Sequence, residues 1–278
     1  MKNMRSYCNR RISELARFFK SCEIFSKLRI PFGKFLIVRC DGRNFSSLTK
    51  DLGLKKLDER FHKIMIETAI ETITKSGFDI RVAYVMSDEM SFFFKEIPFS
   101  ARVEKIDSVI ASFVSSAFTI RLRENFDFRQ PIAFDARVIV LDSLNDVVYY
   151  FIWRQKEAWR NFLNAMAQWI LLQEGYDREV IYHKLYGMKS QALIKFLEKK
   201  GINIKKEPNW KKFGILIFKF PVLKEALNPI TKKQVQVIRF KIGMISKPFN
   251  ANELHELIQK SLLSRIEARK LLKKVGDC

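Results

Sequence analysis

The sequence predicts an α+β fold, a split βαβ, ferredoxin-like sheet followed by a helical and basic C-terminal part. Three observations lead there: the order of strand-like and helical patterns in the first half, a change to helical periodicity after Leu144, and a charge concentrated late in the chain. The 278 residues carry 51 Lys and Arg against 30 Asp and Glu, +21 in all. Residues 1–177 hold 28 basic and 22 acidic groups whereas 178–278 hold 23 and 8, so the last 101 residues alone contribute +15. A folded region keeps such a field where a polyanion neutralises it, and nucleic acid is the expected partner. A genome-wide lysine bias is the bland alternative, but it would not spare the first 177 residues. A hydrophobic content of 47 % with ten glycines and seven prolines excludes a disordered chain.

Each element follows from local pattern. Phe35 to Val38 is a β-branched and aromatic run that ends in Asp41-Gly42-Arg43, a strand leading into a tight turn. From Leu54 to Ser76, Leu57, Phe61, Ile64, Met65, Ala69 and Ile73 form one helical stripe, closed by Gly77. Arg81 to Met86 and Met90 to Lys95 read as a hairpin with Ser87-Asp88-Glu89 at its tip. A second helix is expected from Ala101 to Arg123, with Val103, Ile106, Ile110, Phe113, Ala117 and Ile120 on its inner side, and Phe134 to Leu141 is a further strand. The order strand, helix, strand, strand, helix, strand places two helices on one face of an antiparallel sheet and leaves the other face open for substrate. Beyond Leu144, helices are expected at Val147 to Leu172, Arg178 to Leu185 and Ser190 to Lys200, then a strand at Gly214 to Phe220, a mixed stretch at Pro221 to Pro248 and a basic helix at Asn252 to Lys274. In the first of these helices Trp153, Phe162, Met166 and Trp169 fall at core spacing, with Arg154 and Arg160 expected to point outward to RNA.

In this topology the first strand and the central hairpin are neighbours, so Asp41 and Asp88-Glu89 converge at one rim. Carboxylates that close raise each other's pKa and cost stability unless a cation compensates. With oxygen ligands and no His or Cys at hand, Mg²⁺ is the expected metal. Each segment alone reads as an ordinary Asp-Gly turn or a solvated tip; their matching positions in one topology favour a site. Lys55 and Lys56 open the first helix, and Arg102 and Lys105 lie one turn apart on the second, where a basic face could reach nucleotide phosphates or simply be solvated. Cys8, Cys22, Cys40 and Cys278 lack CxxC spacing, and His62, His183 and His255 lie far apart, so a reduced cytoplasmic protein without structural zinc is expected. The apolar stretch Leu15 to Phe19 is too short for a signal peptide, and no membrane association is expected.

The segments Arg39-Cys40-Asp41-Gly42-Arg43-Asn44-Phe45, Tyr84 to Phe92, Phe134 to Val138 and Trp153-Arg154-Gln155 resemble the motifs of the tRNA-His guanylyltransferase family, in the family's order, most like its archaeal and bacterial guanylyltransferase-like members. The resemblance spans about 35–220 and implies a polymerase-palm catalytic domain, here 1–143, followed by a helical fingers-like region over 144–220; beyond 221 it says little, and within the basic extension 221–278 the charge of the helix at 252–274, with Arg265, Arg269, Lys270, Lys273 and Lys274, makes it a candidate tRNA clamp. It implies that Asp41 and Asp88 bind two Mg²⁺ ions with help from the Gly42 carbonyl, and that Glu89 supports the site. Ser87 and Lys56 match contacts to the activating nucleotide, Arg102 and Lys105 match triphosphate-binding positions, and Arg43 and Asn161 count among the substrate contacts. The implied chemistry adds nucleotides to the 5′ end of tRNA in the 3′-to-5′ direction, with ATP activating the 5′-phosphate and the 3′-hydroxyl of GTP or another NTP attacking it. A homotetramer is also implied. Where eukaryotic members carry His-Ile-Asn-Asn-Leu-Tyr-Asn, this chain reads Trp159-Arg160-Asn161-Phe162-Leu163-Asn164-Ala165, which points to template-dependent addition. A nucleotidyl cyclase-like enzyme on free NTP and a non-catalytic tRNA-binding module are the competing expectations.

Overall fold

The computed structural model describes residues 12–55 and 57–276, with side chains as far as Leu272. Helix α1 (Ile12–Cys22) precedes β1 (Phe35–Gly42), a short α2 (Phe45–Asp51) and α3 (Glu59–Lys75). The hairpin β2 (Ile80–Met86) and β3 (Glu89–Phe94) leads into α4 (Val103–Phe126) and β4 (Phe134–Leu141). Next come the long α5 (Leu144–Gln173), then α6 (Arg178–Leu185), α7 (Ser190–Lys199) and α8 (Asn209–Phe213). Strands β5 (Ile215–Leu227) and β6 (Gln234–Ile245) and helices α9 (Ala251–Leu262) and α10 (Arg265–Gly276) complete the chain. Helix starts are set by side chains: Asp58 accepts from the Arg60 N–H at 2.9 Å, and Ser143 with Asp146 and Asn250 with Glu253 form reciprocal capping boxes.

The strands form one antiparallel sheet in the order β4-β1-β3-β2-β5-β6, whose first four members have the split βαβ arrangement expected from the sequence. Alternate residues serve two layers. Leu36, Val38, Cys40, Met90, Phe92 and Phe94 pack with Ile64 and Met65 of α3 and Ile110 and Phe118 of α4. Ile37, Val82, Tyr84 and Phe93 pack on the opposite side with Val147 and Phe151 of α5 and Leu254 and Ile258 of α9. The second face is therefore covered rather than open, and all seven residues of β2 are buried, as befits a central strand between two helical layers. Within α4 the core side is Ile106, Ile110, Val114, Ala117, Phe118 and Leu122; Ile120 faces solvent, because the inner stripe drifts with the 3.6-residue turn.

The stretch 221–248 is not mixed: β5 and β6 pair over twelve positions from Leu216↔Ile245 to Leu227↔Gln234, and β5 joins the sheet through β2. The boundary expected at 220 falls inside β5. Gly214 enters β5 at φ +65°, where a Cβ would stand 2.6 Å from the Val85 carbonyl oxygen, so the strand joins the sheet there only with glycine. The basic C-terminal helix is two helices, and Leu254 and Ile258 fix the first to the sheet. A third cluster unites Phe162, Leu163, Met166 and Ile170 of α5 with Ile181 and Leu185 of α6 and Leu193 and Leu197 of α7. Phe162 and Met166 are core as expected, but Trp153 and Trp169 are exposed.

His62 of α3 is buried and stacked on Trp210 of α8, ring centroids 4.2 Å apart, and its Nε2 finds no hydrogen-bond partner among the described residues. Burial lowers its pKa from 6.5 to about 4. A folded-state value below the free one gives a contribution fully present above pH 6.5 and lost as the pH falls toward 4, about 3 kcal/mol in all. Urea midpoints measured across that window should fall with acidification in the parent, and His62→Phe should flatten the part of the slope that belongs to this group.

Candidate active site

The site grows from the ends of β1 and the β2–β3 hairpin. Strand register sets Asp41 opposite Glu89 on β3 and opposite Asp135 on β4, so the three side chains share one face. The Gly42 N–H donates to the Asp88 carbonyl at 3.0 Å, tying the turn that bears Asp88 to the strand that bears Asp41. The Arg43 N–H donates to the Ala133 carbonyl at 3.0 Å and fixes the other side. Ser87, at φ 53°, makes the tight turn. Asn44, also left-handed at φ 60°, turns the chain into α2. Beneath them Phe45 packs against Phe61, Phe118 and Phe134 and lies so close to Gly42 that a Cβ there would meet its ring at 2.4 Å. The sequence Asp-Gly-Arg-Asn-Phe is thus read by the fold as acid, close approach, turn and anchor.

The expected convergence of Asp41 with Asp88 and Glu89 is found at the level of the backbone. Glu89, however, is committed elsewhere. Arg154 of α5 donates through Nη2 to Glu89 Oε2 at 2.7 Å, and Arg39 Nε stands 3.6 Å from the same oxygen. Arg154 is buried, which corrects the expectation that it points outward: it spans from the helix to the sheet, with its guanidinium over the Trp153 ring at 4.7 Å. Burial raises the Glu89 pKa, Arg154 and Arg39 oppose the rise, and Asp41 adds to it. Beside the pair, Ser91 and the Tyr150 hydroxyl share a hydrogen bond of 2.9 Å. Among the described residues no three His, Cys, Asp or Glu side chains are arranged to hold a metal ion. Two aspartates and main-chain carbonyls still fit Mg²⁺, which takes one or two protein carboxylates and fills its shell with water and phosphate.

The other expected positions are placed as follows. Arg43 and Ser87 are exposed at the rim, and Asn161 is exposed on α5. Arg102 caps α4 and pairs with Glu104 at 2.9 Å, and the Lys105 ammonium lies over the Phe99 ring at 4.8 Å. Phe99 packs on Phe78 and Phe78 on Phe94, so these two cations stand by the end of β3 remote from Glu89. Lys56 lies outside the described residues, as do the side chains of Lys273 and Lys274; Arg265, Arg269 and Lys270 are exposed. Arg160 is exposed and paired with Glu157 at 2.6 Å. Sequence reasoning missed Arg39 and Asp135 as members of this face. Their signal was available: Arg39 lies two residues before Asp41 in a strand, hence on the same side.

Among the described residues no helix is long and apolar enough to cross a membrane. The family model for tRNA-His guanylyltransferase matches residues 16–142, which include the rim. A probable tRNA(His) guanylyltransferase of Dictyostelium discoideum is 30 % identical over 224 residues, 77 % of this chain and 87 % of that protein. A bacterial tRNA(His) guanylyltransferase-like protein in complex with ATP superposes with a TM-score of 0.67 at 22 % identity, over 91 % of this chain and 99 % of that one. The tRNA(His) guanylyltransferase of Saccharomyces cerevisiae does so with a TM-score of 0.64 at 25 % identity, over 75 % and 93 %. With the motifs in place, the extent of that likeness settles the family: this chain belongs to the tRNA(His) guanylyltransferases, which are nucleotidyltransferase enzymes.

Proposed function

We propose that the chain extends the 5′ end of tRNA in the 3′-to-5′ direction, repairing 5′-truncated tRNA by copying the opposite strand, adding G to tRNA-His, or both. The observation that carries this reading is the Gly42-to-Asp88 main-chain bond, which keeps two aspartate-bearing segments side by side at the rim of the sheet. Bacterial guanylyltransferase-like relatives of the same fold are known in complex with ATP and with GTP, which supports nucleotides as co-substrates. In the first step the RNA 5′-phosphate bonds to the α-phosphorus of ATP and pyrophosphate leaves. In the second, the 3′-hydroxyl of the incoming NTP bonds to the activated 5′-phosphorus and AMP leaves.

Asp41 and Asp88, with the Gly42 carbonyl, would hold a pair of Mg²⁺ ions, which when bound neutralise phosphoryl charge and ease deprotonation of the attacking hydroxyl. Glu89, neutralised by Arg39 and Arg154, acts as a wall behind these aspartates rather than as a further ligand. Arg43 and Ser87 at the rim orient nucleotide and RNA phosphates, with Lys56 and Asn161 as further substrate contacts, while Arg102 and Lys105, by the end of β3 remote from Glu89, would meet only phosphates that lie away from the rim. The exposed cations of α10 clamp the tRNA. Truncated tRNAs whose opposite base is changed to each of the four letters test the reading. Incorporation of the matching nucleotide each time is expected; addition of G whatever the template would refute templating, and no product with any tRNA would refute the function.

A further inference from the structure

We infer that α6 and α7 form a second RNA surface, one that holds unpaired nucleotides by stacking, distinct from the rim that holds the RNA terminus. The inference deepens the proposed function and rests on RNA being the substrate. Ile181, Leu185, Leu193 and Leu197 supply the face that packs on α5, with Phe196 packed against them, whereas Tyr182 and Tyr186 lie outside that cluster. Tyr182 and Tyr186 lie one turn apart with rings 5.5 Å from each other, and 61 % and 73 % of their surfaces face solvent. On another side of α6, Lys184, its ammonium 4.7 Å from the Tyr176 ring, lines a separate cleft of about 310 Å³ in which Lys200 is paired with Glu174 at 2.5 Å. Residues 178–206 carry eight Lys or Arg against only Glu179 and Glu198.

Exposed aromatic rings interleaved with lysines suit a polyanion that offers flat faces. A duplex offers phosphates but keeps its base faces stacked inside, whereas a loop or frayed end presents both. A second copy of this chain would bring the same +21 to the same cations, so charge complementarity favours RNA.

The test compares the full-length parent with a Tyr182→Ala/Tyr186→Ala variant and its Phe counterpart. The probes are a fluorescein-labelled unpaired RNA of about ten nucleotides and a blunt duplex of equal length. We expect the Ala variant to bind the unpaired RNA at least about ten-fold more weakly, given ~1–3 kcal/mol per stacked base, with duplex affinity unchanged and the Phe variant like the parent. Unchanged affinity for the unpaired RNA would overturn the inference, and so would an equal loss on the duplex. A changed molar mass in solution with unchanged RNA affinity would do the same by identifying a contact between copies. Nucleotide addition by the parent reads the proposed function separately, and both tyrosines lie outside the rim.

Discussion

Asp41→Asn and Asp88→Asn should each reduce nucleotide addition at least about a thousand-fold. The estimate follows from the several kcal/mol of charge stabilisation that a metal-held phosphoryl group receives, at 1.36 kcal/mol for each factor of ten. Asp41→Asn should not lower stability without Mg²⁺. Asp41 shares a face with Glu89 and Asp135 and raises the Glu89 pKa, so removing its charge relieves repulsion. Single-turnover rates on 5′-truncated tRNA and thermal midpoints with and without Mg²⁺ decide the matter. A rate within ten-fold of the parent, or a loss of stability with the loss of activity, would remove the aspartates from the chemistry.

Arg154→Met should destabilise the protein by about 3–5 kcal/mol, the cost of leaving a buried carboxylate without its partner. Both members of the pair are largely buried, and Arg39 at 3.6 Å is a longer replacement than the 2.7 Å contact that is lost. Adding Glu89→Gln to that background should restore much of the loss, because the uncompensated charge is then gone. Urea unfolding of the two single variants and the double variant measures the coupling. Additive losses would mean that Arg154 serves the fold by packing on Trp153 rather than by neutralising Glu89.

The split βαβ sheet was legible because its evidence is local. The β-branched and aromatic runs of β1 to β4, the stripe of α3 and the turn residues at Gly42 and Ser87 each follow from neighbours in sequence. What escaped was set by distant packing. Trp153 and Trp169 share helical spacing with Phe162 and Met166, and only the positions of α6 and α7 decide which of them the third cluster covers. Arg154 reads as a solvated cation in a helix, and only Glu89, 65 residues away, explains its burial. The continuation of β5 past Phe220, and β6, were obscured by Pro221 and by interspersed lysines, since a hairpin on the outer edge of a sheet tolerates both. The geometry of the candidate site was legible in its acids and illegible in its counter-charges.

The tie between Gly42 and Asp88 is made of main chain alone. It uses no acidic side chain, so a variant stripped of both carboxylates keeps the two segments side by side and, on the proposed function, loses the means to react. Such a protein is a trap: it should hold a truncated RNA and its incoming nucleotide side by side, long enough for the unreacted pair to be seen.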